Sequence, residues 1–143
     1  MEIKTTTSRQ TKYVQAVYEA LEILNHATNI ELLTEVQKTY PEVSATTIHR
    51  VSGRLKDRGI ISLAPKPANG SERYDSNLAP HHHFMCTRCG RLCDVPDTLD
   101  SRIAIRQLKK LSGDCAIAGS LTMQGTCKQC AKEEDNQVLS ERL

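Results

Sequence analysis

Four cysteines in two Cys-x-x-Cys pairs, Cys86/Cys89 and Cys127/Cys130, offer the thiolates that close a tetrahedral zinc site. A histidine run, His81-His82-His83, stands just before the first pair. Four sulfurs saturate zinc, which leaves the histidines over for a second metal. A chain with that surplus is expected to sense a metal and not merely to be stapled by one.

Two other uses of the cysteines compete with zinc. Six cysteines could form three disulfides in a secreted domain, but no apolar leader follows Met1, and a chain of 143 residues is too long to need several staples. Reduced thiols in a cytoplasm fit better. Redox chemistry from one Cys-x-x-Cys is weakened because two such pairs occur and neither is expected to open a helix after a buried strand. Between Cys89 and Cys127 lie 37 residues, room for a helix and a strand, so the zinc is expected to pin two distant strands. Cys93 and Cys115 match neither pair and are expected to be small core residues or inert thiols.

The elements that carry these groups follow from composition and periodicity. Apolar residues make up 38% of the chain, with one Phe, four Tyr and no Trp, so metal binding and a partner subunit are expected to add stability. No apolar run is long enough for a membrane span. A net charge of +2 does not by itself point to nucleic acid. Its distribution does: Arg50, Arg54, Lys56, Arg58 and Lys66 face Asp57 alone between residues 50 and 66.

Val14, Val17, Tyr18, Leu21 and Leu24 recur at helical spacing through Asn25, after a Thr-rich start over residues 1–8 that should fray. Thr28-Asn29-Ile30-Glu31 reads as a capping box for a second helix with Ile30, Leu33 and Val36 inward, stopping before Pro41. Ser44 caps a third, with Ile48, Val51 and Leu55 inward and Gly59 at its end. The pattern then changes to a hairpin, Ile60 to Leu63 and Ser71 to Asp75, around an Asn69-Gly70 turn. Three short helices and a two-stranded wing make a winged helix-turn-helix, in which the third helix enters the major groove and the wing tracks phosphates.

Residues 76–80 read as a linker, so residues 1–78 are expected to form a DNA-binding domain and 79–143 a dimerisation and metal-binding domain. In the second, strands are expected around Phe84, Arg91 to Val95 and Ser120 to Gln124. A helix from about Thr98 to Leu111 carries Leu99, Ile103, Leu108 and Leu111, with Asp97 as a candidate cap. The charged tail beyond Ala131 reads as loose, with Val138, Leu139 and Leu143 able to form a short docking helix. On a strand His81 and His83 share one face while His82 points away.

The stretch His81-His82-His83-Phe84-Met85-Cys86-Thr87-Arg88-Cys89-Gly90, with Asp94 following, resembles the ferric-uptake-regulator family of bacterial metal-dependent repressors. The likeness runs from about Tyr13 to Lys132. It includes Gly125-Thr126-Cys127-Lys128-Gln129-Cys130 near the C-terminus and a reading helix that begins Ser44-Ala45-Thr46-Thr47-Ile48-His49-Arg50. The resemblance implies an α+β protein: an N-terminal winged helix and a small C-terminal α/β dimerisation domain with a zinc-stapled antiparallel sheet. Structural Zn(II) would sit on Cys86, Cys89, Cys127 and Cys130. A regulatory site would use His26, Asp75, His81, His83 and Asp94, a donor set suited to Fe(II) or Mn(II), with Zn(II) also admissible.

Implied partners are a second copy of the chain and double-stranded operator DNA in the cytoplasm, without a membrane. Thr46, Thr47, His49 and Arg50 are expected on the DNA face, with Arg54, Lys56, Lys66 and Arg73 on phosphates. Aspartates at 75 and 94 resemble the peroxide-sensing branch, where Fe(II) directs oxidation of ligand histidines corresponding to His26 and His81. Iron-uptake relatives carry glutamates at these positions, and zinc-uptake relatives a cysteine near position 75.

The chain also departs from the family pattern. Thr11-Lys12-Tyr13-Val14 stands where Thr-Pro-Gln-Arg is usual, His49 replaces a base-contacting tyrosine, and Ser52 replaces a core leucine. Pro80, Ser101 and Gly119 stand at ligand positions of a further metal site known in some members, so no third site is expected. A rival reading from another class is a zinc hydrolase or deaminase. It lacks its general base, since no glutamate lies between His81 and Cys130.

Overall fold

The computed structural model describes residues 9–117 and 119–142. The Thr-rich start and Leu143 lie outside the described residues. The chain divides between Leu78 and Ala79 into two compact units.

The first unit runs α1 (Arg9–Leu24), β1 (His26–Thr28), α2 (Asn29–Gln37), α3 (Ala45–Asp57), β2 (Ser62–Ala64) and β3 (Arg73–Asp75). Asn25, at φ 63°, ends α1 in the left-handed region that asparagine tolerates and turns the chain straight into β1. Thr28 then closes the expected capping box: its amide donates to Glu31 Oε2 at 2.7 Å, and Glu31 N–H donates back to Thr28 Oγ1 at 3.4 Å. Ser44 Oγ accepts the Thr47 amide at 3.2 Å and starts α3. Gly59, at φ 70°, turns the chain out of α3, as its place in the sequence suggested.

The three helices share one apolar core with the sheet. Val17 and Leu21 of α1, Leu32 and Val36 of α2, and Ile48, Val51 and Leu55 of α3 are buried with Ile61 and Tyr74. Ile30, expected inward, is 71% exposed, because the buried stripe of α2 runs through Leu32 and Val36 instead. The wing is also wider than a hairpin. β3 is central in the order β1-β3-β2 and antiparallel to both neighbours, with His26 opposite Asp75, Ala27 opposite Tyr74 and Thr28 opposite Arg73. That register puts two residues of metal-binding type side by side.

The second unit runs β4 (His82–Cys86), β5 (Leu92–Val95), α4 (Leu99–Leu111), β6 (Thr122–Gly125) and α5 (Lys128–Glu141). Its sheet is mixed, not antiparallel: β5 runs against β4, but β6 lies parallel to it on the other side. A parallel pair needs a long crossover, and α4 lies within the one used here. Thr98 caps α4, while Asp97 holds Arg102 through two contacts of 2.9 and 3.0 Å. The tail is helical from Lys128 to Glu141, where a loose segment was expected.

The two units differ most in what they bury. Among the described residues of the second, the buried apolar set is Cys86, Cys127 and Cys130 with Phe84 packed against them. α4 buries no residue, and Leu99, Ile103, Leu111 and Met123 stand 41–84% exposed. Cys93 and Cys115, expected in a core, are exposed as well.

Candidate metal centres and nucleic-acid surface

The sulfur cluster is assembled by strand pairing. Cys86 ends β4, Cys89 follows in a turn closed by the Gly90 N–H donating to the Cys86 carbonyl at 3.0 Å, and Cys127 caps α5 with Cys130 one turn on. Parallel pairing of β4 with β6 brings the two pairs together, since Cys86 stands opposite Gly125. Gly125 leaves room for the Phe84 ring, which a Cβ there would meet at 3.3 Å. Cys127-x-x-Cys130 opens a helix after a strand, but β6 is an exposed strand and not a buried one, as expected. The other pair supplies two more sulfurs to the same cluster.

All four sulfurs lie within 4.8 Å of one another. Sulfurs on one zinc at about 2.3 Å in a tetrahedron stand about 3.8 Å apart, and Cys89 Sγ lies 3.8 Å from Cys127 Sγ. Backbone N–H groups of Cys89 and Cys127 pull the Cys86 thiol down to about 6, and the Cys130 N–H lowers Cys127 in the same way. Hydrogen bonding to the Cys127 sulfur, together with burial, pushes Cys130 up to about 12. Amides aimed at sulfur stabilise thiolates, the form that binds metal. The donor set fits Zn(II).

A second group of donors in this unit contains no sulfur. His83 of β4 is 4% exposed and sits opposite Asp94 of β5; its Nε2 is 3.6 Å from Asp94 Oδ1, and His81 Nε2 is 3.1 Å from the same oxygen. The His81 Nδ1 lies 2.6 Å from the Ala79 carbonyl, which can only accept, so Nδ1 carries a proton. A neutral His81 therefore turns the lone pair of Nε2 toward a carboxylate oxygen. Two electron-rich atoms at that distance need a cation between them, either a proton or a metal. His82 is engaged elsewhere: its Nδ1 accepts the Leu121 amide at 2.9 Å.

The first unit holds a smaller set. His26 Nε2 stands 3.4 Å from Asp75 Oδ2, with the His26 side chain 8% and the Asp75 side chain 3% exposed. The other oxygen, Oδ1, accepts the Asn77 amide at 2.8 Å, so the carboxylate is oriented from behind. The distances suit ligands of one divalent ion, whose donors at about 2.0–2.2 Å stand roughly 3 Å apart. The family resemblance implies both residues as ligands, but the β1–β3 pairing that brings His26 to Asp75 was not legible in the sequence.

On the outer face of α3, Thr46, His49, Arg50 and Arg54 are exposed, with Thr47 and Lys56 half-buried and Lys66 exposed beyond β2. Arg58, at the C-cap of α3, adds a cation that had not been assigned to phosphate. Arg73 departs from expectation. It is 6% exposed on the central strand, where burial lowers its pKa and the Glu31 charge opposes that shift, so it belongs to the interior of the wing. No helix of the described residues is long and apolar enough to cross a membrane.

A profile described as the ferric uptake regulator family matches residues 1–112. The chain is 30% identical over 114 residues to the peroxide-responsive repressor PerR of Staphylococcus epidermidis, covering 78% of this chain and 73% of that protein. Among solved structures, the Campylobacter jejuni peroxide stress regulator is similar with a TM-score of 0.64 and 25% identity, covering 85% of this chain and 91% of that one. The Francisella tularensis ferric uptake regulator with iron shares the fold at a TM-score of 0.66 and 18% identity, covering 92% and 98%.

Proposed function

The chain belongs to the ferric uptake regulator family, and on that premise we propose that it is a homodimeric, metal-dependent transcriptional repressor of the peroxide-sensing kind. The observation that carries the reading is the segregation of donors. In the second unit the sulfurs gather in one cluster while His81, His83 and Asp94 gather in another, and in the first unit His26 stands beside Asp75. Thiolates hold zinc for the fold; nitrogen and oxygen donors suit Fe(II) or Mn(II), which bind more weakly and exchange.

In this reading His26 and Asp75 of the first unit and His81, His83 and Asp94 of the second complete one site. Two donors alone, or three, do not fill the coordination of Fe(II) or Mn(II). Sharing an ion would tie the units together and hold the spacing of two reading helices in a dimer, so that both reach half-sites of an operator. The dimer is supported by the second unit's exposed apolar side chains, which form no core of their own. Thr46, Thr47, His49 and Arg50 would face bases, and Arg54, Lys56, Arg58 and Lys66 phosphates. Family membership supports a regulator over a zinc hydrolase.

Bound Fe(II) would supply one-electron reduction of peroxide. His26 and His81, the histidines at the positions where the branch is oxidised, stand against Asp75 and Asp94. An oxidised imidazole is a poorer donor, and release of the ion would end repression. Mass spectrometry after Fe(II) loading and peroxide is expected to find one added oxygen on peptides containing His26 or His81, and none with Mn(II) in place of iron. Unmodified peptides from a protein that still binds DNA in a metal-dependent way would reassign it to an iron- or zinc-responsive member. Gel shifts indifferent to metal would remove the repressor reading itself.

A further inference from the structure

One hydroxyl interrupts the apolar face of α3. Ile48, Val51 and Leu55 are buried there, and Ser52 beside them is 0% exposed. A buried hydroxyl is costly unless bonded. Ser52 Oγ donates to Asn29 Oδ1 at 2.7 Å, with the His49 carbonyl farther away at 3.2 Å. A single proton serves the nearer acceptor better, so the tie to α2 dominates over the tie within α3.

Asn29 opens α2 directly after Thr28, the last residue of β1. Tyr74, 1% exposed, belongs to the same network. Its hydroxyl is in polar contact with Ser52 and Asn29 and donates its own proton to Glu72 Oε2 at 2.8 Å. Tyr74 faces Ala27 in the register that sets His26 against Asp75. A continuous path therefore leads from the His26/Asp75 pair, along the residues that follow or precede them, to the middle of α3. Ser52 lies one turn beyond His49, on the helix that carries the exposed Arg50.

The rest of the packing beneath α3 is apolar, and apolar contacts are non-directional. They hold the buried stripe of the helix inward but carry no donor–acceptor direction of their own. A hydrogen bond constrains direction as well as distance. We propose that Ser52, with Asn29 and Tyr74, is the positioning element that converts capture of a metal by His26 and Asp75 into a fixed orientation of α3. The inference rests on the metal-dependent repressor reading. It assigns a role to the serine that stands where a leucine is usual: a polar tie replaces a contact that could not report strand position.

A hydroxyl that merely satisfies itself in a core contributes stability and nothing else. The test uses the full zinc-loaded chain with Ser52→Ala, and with Tyr74→Phe as the shape-conserving second variant should the first fold poorly. Hydrogen exchange over residues 45–57 is measured with and without Mn(II), in the absence of DNA. Affinity for a duplex enriched from random sequence on the Mn(II)-loaded wild type is measured in parallel, as is Mn(II) affinity alone.

In the wild type, Mn(II) is expected to slow exchange across α3. In either variant that slowing should largely vanish, and the metal-induced gain in duplex affinity should fall about tenfold, with Mn(II) affinity within about twofold of wild type. Reciprocity requires the duplex-induced gain in Mn(II) affinity to fall by the same factor, which simple destabilisation does not produce. Variants that lower the melting temperature but keep both the slowing and the gain would overturn the proposal alone. A wild-type chain whose exchange and duplex affinity both ignore Mn(II) would overturn the parent reading and this one with it.

Discussion

Replacing Cys86 by serine is expected to abolish zinc retention and unfold the second unit while leaving the first folded. Cys86 is 1% exposed at the end of β4, and the Cys127 amide donates to its sulfur at 3.3 Å. Serine can accept that hydrogen bond, but its hard oxygen does not replace a thiolate on zinc. The effect is large because the unit's buried apolar set is little more than the cysteines and Phe84. Structural zinc is worth about 10–16 kcal/mol in small domains at neutral pH, comparable to or larger than the whole stability of many domains. Elemental analysis should fall from about one zinc per chain to near none. Proteolysis should then cut freely beyond Ala79 and spare the helices before Leu78. A zinc-free variant that resists proteases throughout would refute the assignment.

The second large effect separates two adjacent histidines. His83→Ala is expected to lower operator affinity in Mn(II) to its metal-free level, a loss of about 5–150-fold, with zinc content unchanged. His83 is buried opposite Asp94, where no water can stand in for its nitrogen without rearrangement. His82→Ala should retain the full response to Mn(II), because that ring faces the other way and accepts the Leu121 amide. Gel shifts over a Mn(II) titration compare the two. Equal losses from both substitutions would mean that the run is structural and the regulatory site lies elsewhere.

What the sequence disclosed depends on the kind of constraint involved. Residues of metal-binding type were legible because coordination demands particular atoms: paired thiols at a fixed spacing stand out in a sequence, and two histidines two apart share a face of a strand. Helix starts at Thr28 and Ser44 were legible because a cap is a local contact over three residues. β1 was missed, being three residues between two helices, too short for alternation to register. The direction of β6 was missed because nothing local distinguishes a parallel neighbour from an antiparallel one across a crossover of this length. α5 was read as a loose tail since its charged sequence has no clear apolar stripe. Cys93 and Cys115 lie outside any core because the second unit, as a single copy, scarcely has one. Arg73 looked like a surface cation until the third strand moved it to the middle of the sheet.

The pairing of β4 with a strand that arrives after α4 also dictates an order of events during synthesis. Contacts distant in sequence form late, and a nascent chain offers its N-terminal part first. When His82–Cys86 leaves the ribosome its neighbour Thr122–Gly125 has not yet been made, so the first thiol pair waits open to oxidants and to wrong metals. Only the emergence of Cys130 completes the four-sulfur cluster, and a ribosome that stalls in the intervening helix would hold a finished first unit on an incomplete and oxidisable remainder.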